Sequence, residues 1–528
     1  MSKRARAIED ALQHARRLFS AGQTPQAAQI CQQILSAAPG HPEALHLLGL
    51  AALRQGQPET ASACLADAIA RKPRAAALFH AQRGLVLLEL GRAAEAEAAC
   101  RAALALKPNT AEAVQCLGHA LFDQRRPEEA VAAYREALRL KPSLADIQNN
   151  LAMALREADQ PDEAERWFRA AVRREPNDVA LRGNFASLLR MEGRLEEAEI
   201  AYRAALRLDP DDAVQRYNLG ILLLLAGRLP EGWAEYEHRF RAGATLGRRF
   251  PQPLWSGEPL AGRTLLVHAE QGFGDTIQFC RYLPKLAQTG RVVLEAPGRL
   301  LRLLSSLPGD IRLVRAGETL PEFDLHCPLL GLPGRRGTTL DTIPADVPYL
   351  HAEDALVAQW RERIGPEGFK VGICWQGNPD YATDRSRSIA LAHFRPLAQL
   401  PGARLISLQK TNGVEQLDRL AAELRVETLG DALDAGPDGF VDTAAIMQSL
   451  DLVITSDTAI PHLAGALGRP VWLALAKTPD WRWLLDRPDC PWYPSMRLFR
   501  QGARGDWPGV FTEIADALAA AIQGHPAR

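Results

Sequence analysis

The chain has 528 residues, 47% of them hydrophobic and 24% charged, which is the composition of an ordinary folded chain of several domains. Its 62 Lys and Arg stand against 63 Asp and Glu, a formal net charge of −1, and this excludes a global basic field that would recruit nucleic acid or an anionic membrane. The opening MSKRARAIED lacks the apolar stretch of a secretory signal, and apolar runs such as ILLLL at 221–225 are far too short to span a bilayer, so a cytoplasmic protein with no nucleic-acid partner is expected.

The first predicted elements form a periodic series. Prolines at 39, 73, 108, 142, 176 and 210 and alanines at 27, 61, 96, 130, 164 and 198 recur every 34 or 35 residues. Leu-Gly pairs such as Leu48-Gly49 and Leu117-Gly118 stand where two helices must cross closely. The pattern resembles the tetratricopeptide repeat, a helix-turn-helix unit that stacks into a superhelix. Six units cover about residues 8–212, and a seventh, irregular one holds YNLGILLLLAGRLPEGWAEYEHRF. Stacking leaves a long concave surface suited to an extended peptide or a protein partner; the alternative is that the array only supports or dimerises the rest. Residues 1–240 alone are expected to fold and to keep acceptor binding.

The eight cysteines (31, 64, 100, 116, 280, 327, 374 and 490) show no metal-ligand spacing, which argues against a zinc site or a disulfide frame. Cys31, Cys64 and Cys100 fall at nearly the same place in successive repeats and read as small buried helix residues.

After the Gly-, Pro- and Arg-rich stretch at 241–263 the period changes. Strands are predicted at 264–269, 291–296, 311–316 and 323–328, then at 370–375, 403–408, 451–455 and 471–475, alternating with helices. Two such series imply two parallel-sheet lobes with a cleft between them, and ligands then belong at the carboxyl ends of the strands.

The turn after the first of these strands is EQGFGDTIQF, 270–279. Gly272 and Gly274 allow a ligand to approach the backbone, and Asp275 is either a helix N-cap or a functional carboxylate. No G-x-G-x-x-G and no Walker A loop is present. In SDTAIPHLAGALGRPVW, 456–472, Ser456, Asp457 and Thr458 precede a helix with Pro461 in its first turn, so its free amides and dipole suit a diphosphate. His462 either donates to a phosphate or is an interior histidine, and Gly465 and Gly468 suit close helix packing. WQGNPDYATDRSRSIAL at 375–391 brings Gln376, Arg385 and Arg387, LQK at 408–410 brings Lys410, and FVDTAAIM at 440–447 brings Asp442 and Thr443. Arginine suits a diphosphate because its fork can bond two oxygens.

These segments, together with DWRWLLDRPDCPWYPSMRLFRQ at 480–501, resemble the bacterial heptosyltransferase-like glycosyltransferases of family 9 fused to tetratricopeptide repeats. The resemblance covers about residues 250–520. It implies an α-solenoid followed by a GT-B glycosyltransferase of two Rossmann-like lobes: a repeat array at 1–245, a linker at 246–262, an acceptor-side lobe at 263–355 and a nucleotide-sugar lobe at 356–528. It further implies that Asp275 is the catalytic base and that Asp457, Thr458 and His462 form the diphosphate-binding segment, with Ala459 where the family has Gly; Arg387 corresponds to a basic residue near the diphosphate. A two-lobed unit behind such repeats also resembles the enzyme that attaches N-acetylglucosamine to Ser and Thr of proteins.

The chemistry so implied is inverting transfer from a nucleotide-diphosphate sugar to a hydroxyl acceptor, a protein or peptide in the repeat groove. Asp275 takes the proton, and Arg385, Arg387, Lys410 and the helix start at Thr458 stabilise the leaving diphosphate. No D-x-D occurs in the second half, so neither metal nor cofactor is expected. Glu270 is the next candidate base. Trp481 and Trp483 either stack on the ligand or pack in the core. The alternatives are a non-catalytic scaffold with a decayed transferase half and a nucleotide-sugar epimerase.

Overall fold

A computed structural model describes residues 3–72, 77–142, 145–245, 247–381 and 384–524. Pro73 of the repeat prolines and Ala382 and Thr383 of the Arg385 loop lie outside the described residues. No described helix is long and apolar enough to cross a membrane.

The periodic region is a succession of helix pairs, among them Pro42–Arg54 with Pro58–Arg71 and Ala111–Asp123 with Pro127–Leu140. Proline opens several of the second helices, where its missing N–H is no loss. The Leu-Gly pairs mark close crossings: a Cβ on Gly118 would stand 2.6 Å from the Tyr134 ring. The chain divides into two compact units, Met1–Leu188 and Leu189–Arg528. The second unit therefore holds the last repeat helices, Leu195–Leu208, Ala213–Leu225 and Leu229–Tyr236, together with both sheets.

One cysteine expectation is corrected in the first unit. Cys100 and Cys116 are joined, their Cα atoms 6.4 Å apart. A chain separation of 16 residues carries one cysteine down the helix Ala93–Leu106 and the other up Ala111–Asp123, and Gly84 leaves the room they fill. Among the described residues the other six cysteines are free.

The second unit is built on two parallel sheets. Strands β1 (Thr264–His268), β2 (Arg291–Ala296), β3 (Ile311–Arg315) and β4 (Leu325–Pro328) pair in the order β3-β2-β1-β4. Strands β5 (Phe369–Cys374), β6 (Ala403–Ser407), β7 (Leu452–Thr455), β8 (Val471–Leu475) and β9 (Met496–Arg500) pair in the order β6-β5-β7-β8-β9. All the pairings are parallel. The central strands β5 and β7 are buried along their whole length, as a parallel sheet covered on both faces requires. Among the described residues only β9 lies outside the expected series.

A single apolar core runs from Leu224, Trp233 and Tyr236 of the last repeat helices through Trp255 and the first sheet to Ala464, Trp481 and Trp492 of the second lobe. The stretch 247–262 is no free tether: Trp255 is wholly buried, its backbone N–H donates to His326 O at 2.8 Å and its indole to Glu258 O at 2.8 Å. A fragment cut at residue 240 would bare Leu224, Leu225, Leu229, Trp233 and Tyr236, so residues 1–240 would carry an uncovered apolar face.

Candidate active site

The carboxyl end of β1 leads through residues 269–271 into the helix Phe273–Phe279, with Gly272 at its N-cap. Asp275 is held from two sides. Its Oδ2 accepts the Gly272 N–H at 2.8 Å, so the N-cap is Gly272 and Asp275, read from the sequence as an N-cap or a functional carboxylate, sits three residues on and closes back onto it. Its Oδ1 accepts from Arg482 Nη2, a residue of the second lobe. Arg482 is itself fixed: Nε donates to Gln278 Oε1 at 2.8 Å, Nη1 to Asp480 Oδ1 at 2.8 Å, and the guanidinium lies 4.3 Å from the Trp481 ring centroid. Burial raises the Asp275 carboxyl above its ordinary range; the Arg482 charge opposes that rise and the Asp480 charge adds to it.

Glu270, the alternative base, is corrected. It forms a two-pronged ion pair with Arg239, Nε to Oε2 and Nη2 to Oε1 both at 2.9 Å, and accepts the Leu330 N–H at 3.0 Å. With its side chain 2% exposed, both oxygens are spent inside the core, where they hold the turn to the short helix Glu237–Phe240.

At the end of β7, Thr458 caps the helix Ala459–Ala466, its Oγ1 accepting the Ile460 N–H at 3.2 Å. Ser456 is wholly buried and its Oγ has no partner among the described residues. Asp457 is half-buried; burial first and the Asp480 charge second push its carboxyl up to about 6, against the pull of Arg387 and Arg482. Of the opposing pulls the one from the Trp483 indole ranks first, ahead of Arg387 and Arg482, although its Nε1 has no acceptor at hydrogen-bond distance. His462 takes the interior role of its two options. It shares a 3.0 Å hydrogen bond with Tyr493 OH and stacks on Trp483 at 5.1 Å, and burial keeps its ring neutral. It also explains Gly274, on which a Cβ would stand 2.9 Å from His462 Cδ2. The helices Phe273–Phe279 and Ala459–Ala466 thus meet across the lobes at these two residues.

The remaining sequence candidates lie along the ends of β5 and β6. Gln376 is clamped by Gln409, whose Oε1 accepts the Gln376 N–H at 3.1 Å and whose Nε2 donates to Gln376 O at 2.8 Å; Gln416 Nε2 donates to Gln376 Oε1 at 3.0 Å. Arg387 is half-buried, donates to Asp384 Oδ1 at 3.2 Å and lies 5.5 Å from the Tyr381 ring centroid. Arg385 is exposed. Lys410 Nζ donates to the carbonyls of Leu433 and Asp434. Asp442 accepts from Trp360 Nε1 at 2.8 Å and from Asp434 N at 3.0 Å, and Thr443 Oγ1 donates to Asp434 Oδ2. Lys410, Asp442 and Thr443 therefore anchor the loop around Asp434 rather than stand with Asp275. Between that loop and the end of β6 opens a cavity of about 340 Å³, lined by Ser407, Gln409, Lys410, Leu429 and Leu433 among others.

Trp481 packs edge-on against Trp233, with ring centroids 5.2 Å apart, and both it and Trp483 are buried, so neither offers a face to a ligand. The residues not singled out from the sequence are Arg482, Asp480, Gln409 and Asp434. For Arg482 the available signal was its place between those two tryptophans. Among the described residues no group of three or more His, Cys, Asp or Glu could hold a metal ion.

Tetratricopeptide-repeat profiles match residues 18–83, 78–110, 117–179, 150–213 and 184–238. A profile of glycosyltransferase family 9 (heptosyltransferase) matches residues 399–488. That span includes Lys410, Asp457, Thr458, His462 and Arg482 but not the lobe of Asp275. Protein FlbA of Caulobacter vibrioides is 31% identical over 314 residues, 54% of this chain and 52% of that protein, so the chain spans about half the length of this relative. Among solved structures, a tetratricopeptide repeat protein from Parabacteroides merdae is 18% identical over 45% of this chain and 93% of its own, with TM-score 0.39. YrrB, described as a TPR protein with an unusual peptide-binding site, is 23% identical over 34% of this chain and 92% of its own, with TM-score 0.28.

Proposed function

We propose, from a chain that joins tetratricopeptide repeats to a glycosyltransferase family 9 region, that this protein moves a sugar from a nucleotide-diphosphate donor to a hydroxyl acceptor. The acceptor is a protein or peptide presented by the repeats, and the transfer inverts the anomeric centre without a metal. The observation that carries the reading is the meeting of Gly274 with His462, which joins the turn bearing Asp275 to the helix whose start is capped by Thr458. A carboxylate and the start of a helix at one cleft suit displacement from a sugar diphosphate, the dipole of Ala459–Ala466 favouring the departing charge although Thr458 Oγ1 already holds the Ile460 N–H and Pro461 has none. Asp275 takes the acceptor proton while the acceptor oxygen bonds to the anomeric carbon and the carbon–oxygen bond to the diphosphate breaks. Arg387, Arg385 and the helix start at Thr458 take up the charge of the leaving group. The nucleoside occupies the cavity beside Lys410, with Gln376, Asp442 and Thr443 shaping its walls through the loops they hold.

A second reading, a non-catalytic repeat scaffold, draws on one observation: both oxygens of Asp275 are already engaged. The two are separated by incubating the full chain with ADP-, GDP- and UDP-linked sugars in the presence of a chelator. The transferase reading expects nucleotide release from at least one donor. No release from any donor favours the scaffold, and release that requires one added metal would assign the leaving-group charge to an ion instead.

A further inference from the structure

Arg482 belongs to the second lobe and Asp275 to the first, 207 residues apart in the chain. Their contact is no surface ion pair. The Arg482 side chain is 8% exposed and that of Asp275 19%. Three acceptors fix the fork of Arg482, namely Asp275, Gln278 and Asp480, and Trp481 lies against it on a core shared with Trp233 and Tyr236 of the last repeat helix. The charged groups that bear on Asp275 are Arg482 and Asp480, both from the turn after β8; His462, at the neighbouring Gly274, is neutral. A carboxylate in such surroundings with no cation beside it would keep its proton and could not accept another.

We infer that Arg482 is the positioning residue for Asp275, fixing the orientation and the ionised state of the carboxylate across the two lobes. This rests on the reading of Asp275 as the base. It makes the base depend on the second lobe being in place, since Asp275 lacks this cation when the lobes part. Asp480 works in the opposite sense on the same carboxylate while it anchors Arg482.

The test labels aspartate carboxyl carbons with carbon-13 in the full chain and follows the Asp275 resonance, identified by its loss in Asp275→Asn, as pH is varied. Arg482→Gln is expected to move its titration midpoint upward by about 1 to 3 pH units, the usual effect of a neighbouring opposite charge, and Arg482→Lys to restore part of the difference. Asp480→Asn is expected to move the midpoint downward, which a merely structural loss would not do, and it serves if Arg482→Gln does not fold. A midpoint unmoved in Arg482→Gln, or moved upward in Asp480→Asn, overturns the inference. Failure of the base reading looks different: Asp275→Asn would then keep its turnover whatever the midpoints do.

Discussion

Trp233 of the last repeat helix and Trp481 of the second lobe meet edge to face, ring planes at 88° and centroids 5.2 Å apart. The Trp233 indole also donates to Thr338 O of the first lobe at 3.1 Å. One side chain therefore touches both lobes from the end of the array. Trp233→Ala should cost roughly 3–5 kcal/mol, as emptying a large aromatic from a core does, and should lower the melting temperature of the full chain. A fragment of residues 1–240 should self-associate in size-exclusion chromatography; a monomer at micromolar concentration would show that this apolar face needs no cover.

The Arg239–Glu270 pair should be a strong structural lock. Glu270→Gln removes one of the two carboxylates that the buried Arg239 guanidinium meets, Glu237 Oε1 remaining at 2.8 Å, and should destabilise the protein by about 1–3 kcal/mol. Adding Arg239→Met to that variant should recover part of the loss, because the under-compensated guanidinium is gone while Glu237 keeps Arg335. Denaturant unfolding of the two variants side by side measures this, and a double variant no better than the single one would count against it.

Asp457 gives a pH signature with a definite sign. Its carboxyl is pushed up to about 6, above the value of about 3.9 in an unfolded chain. The folded state thus holds the proton more tightly, and the associated stability is present below about pH 4 and lost as pH rises through 6. Asp457→Asn removes this dependence, so its melting temperature relative to wild type should climb between about pH 4 and pH 6 and then level off. A difference that is flat across that window would show an ordinary carboxylate.

The repeats were legible because a period of 34 residues leaves its mark on every unit, and most strands were legible as short apolar runs between Gly and Pro. Strand β9 was not, since MRLFR lies in a run dense with Pro, Trp and Cys that reads as a motif rather than as an element. A capping role for Asp275 was legible from local sequence, though the N-cap itself is Gly272, three residues earlier. Its partner Arg482 was not, because a contact between lobes leaves no spacing to read. Glu270 misled for the same reason: its neutralising Arg239 lies 31 residues upstream, in a segment that reads as repeat. Lys410 stood out as a cation after a strand, but nothing local shows that the carbonyls of Leu433 and Asp434 would take up its ammonium.

The most direct measurement compares donor affinity and turnover in Asp275→Asn and Arg387→Ala, using whichever nucleotide sugar the wild-type chain turns over. Asparagine keeps the size and capping ability of Asp275 without its basicity, so donor binding should persist while turnover falls by about 10² to 10⁴-fold. Arg387→Ala loses a charge-assisted hydrogen bond worth roughly 1.5–3 kcal/mol, so binding and turnover should both fall, by about 10 to 150-fold. An Asp275→Asn protein with near-normal turnover and a lowered melting temperature would contradict the account, leaving Asp275 as a helix cap and a lock between the lobes.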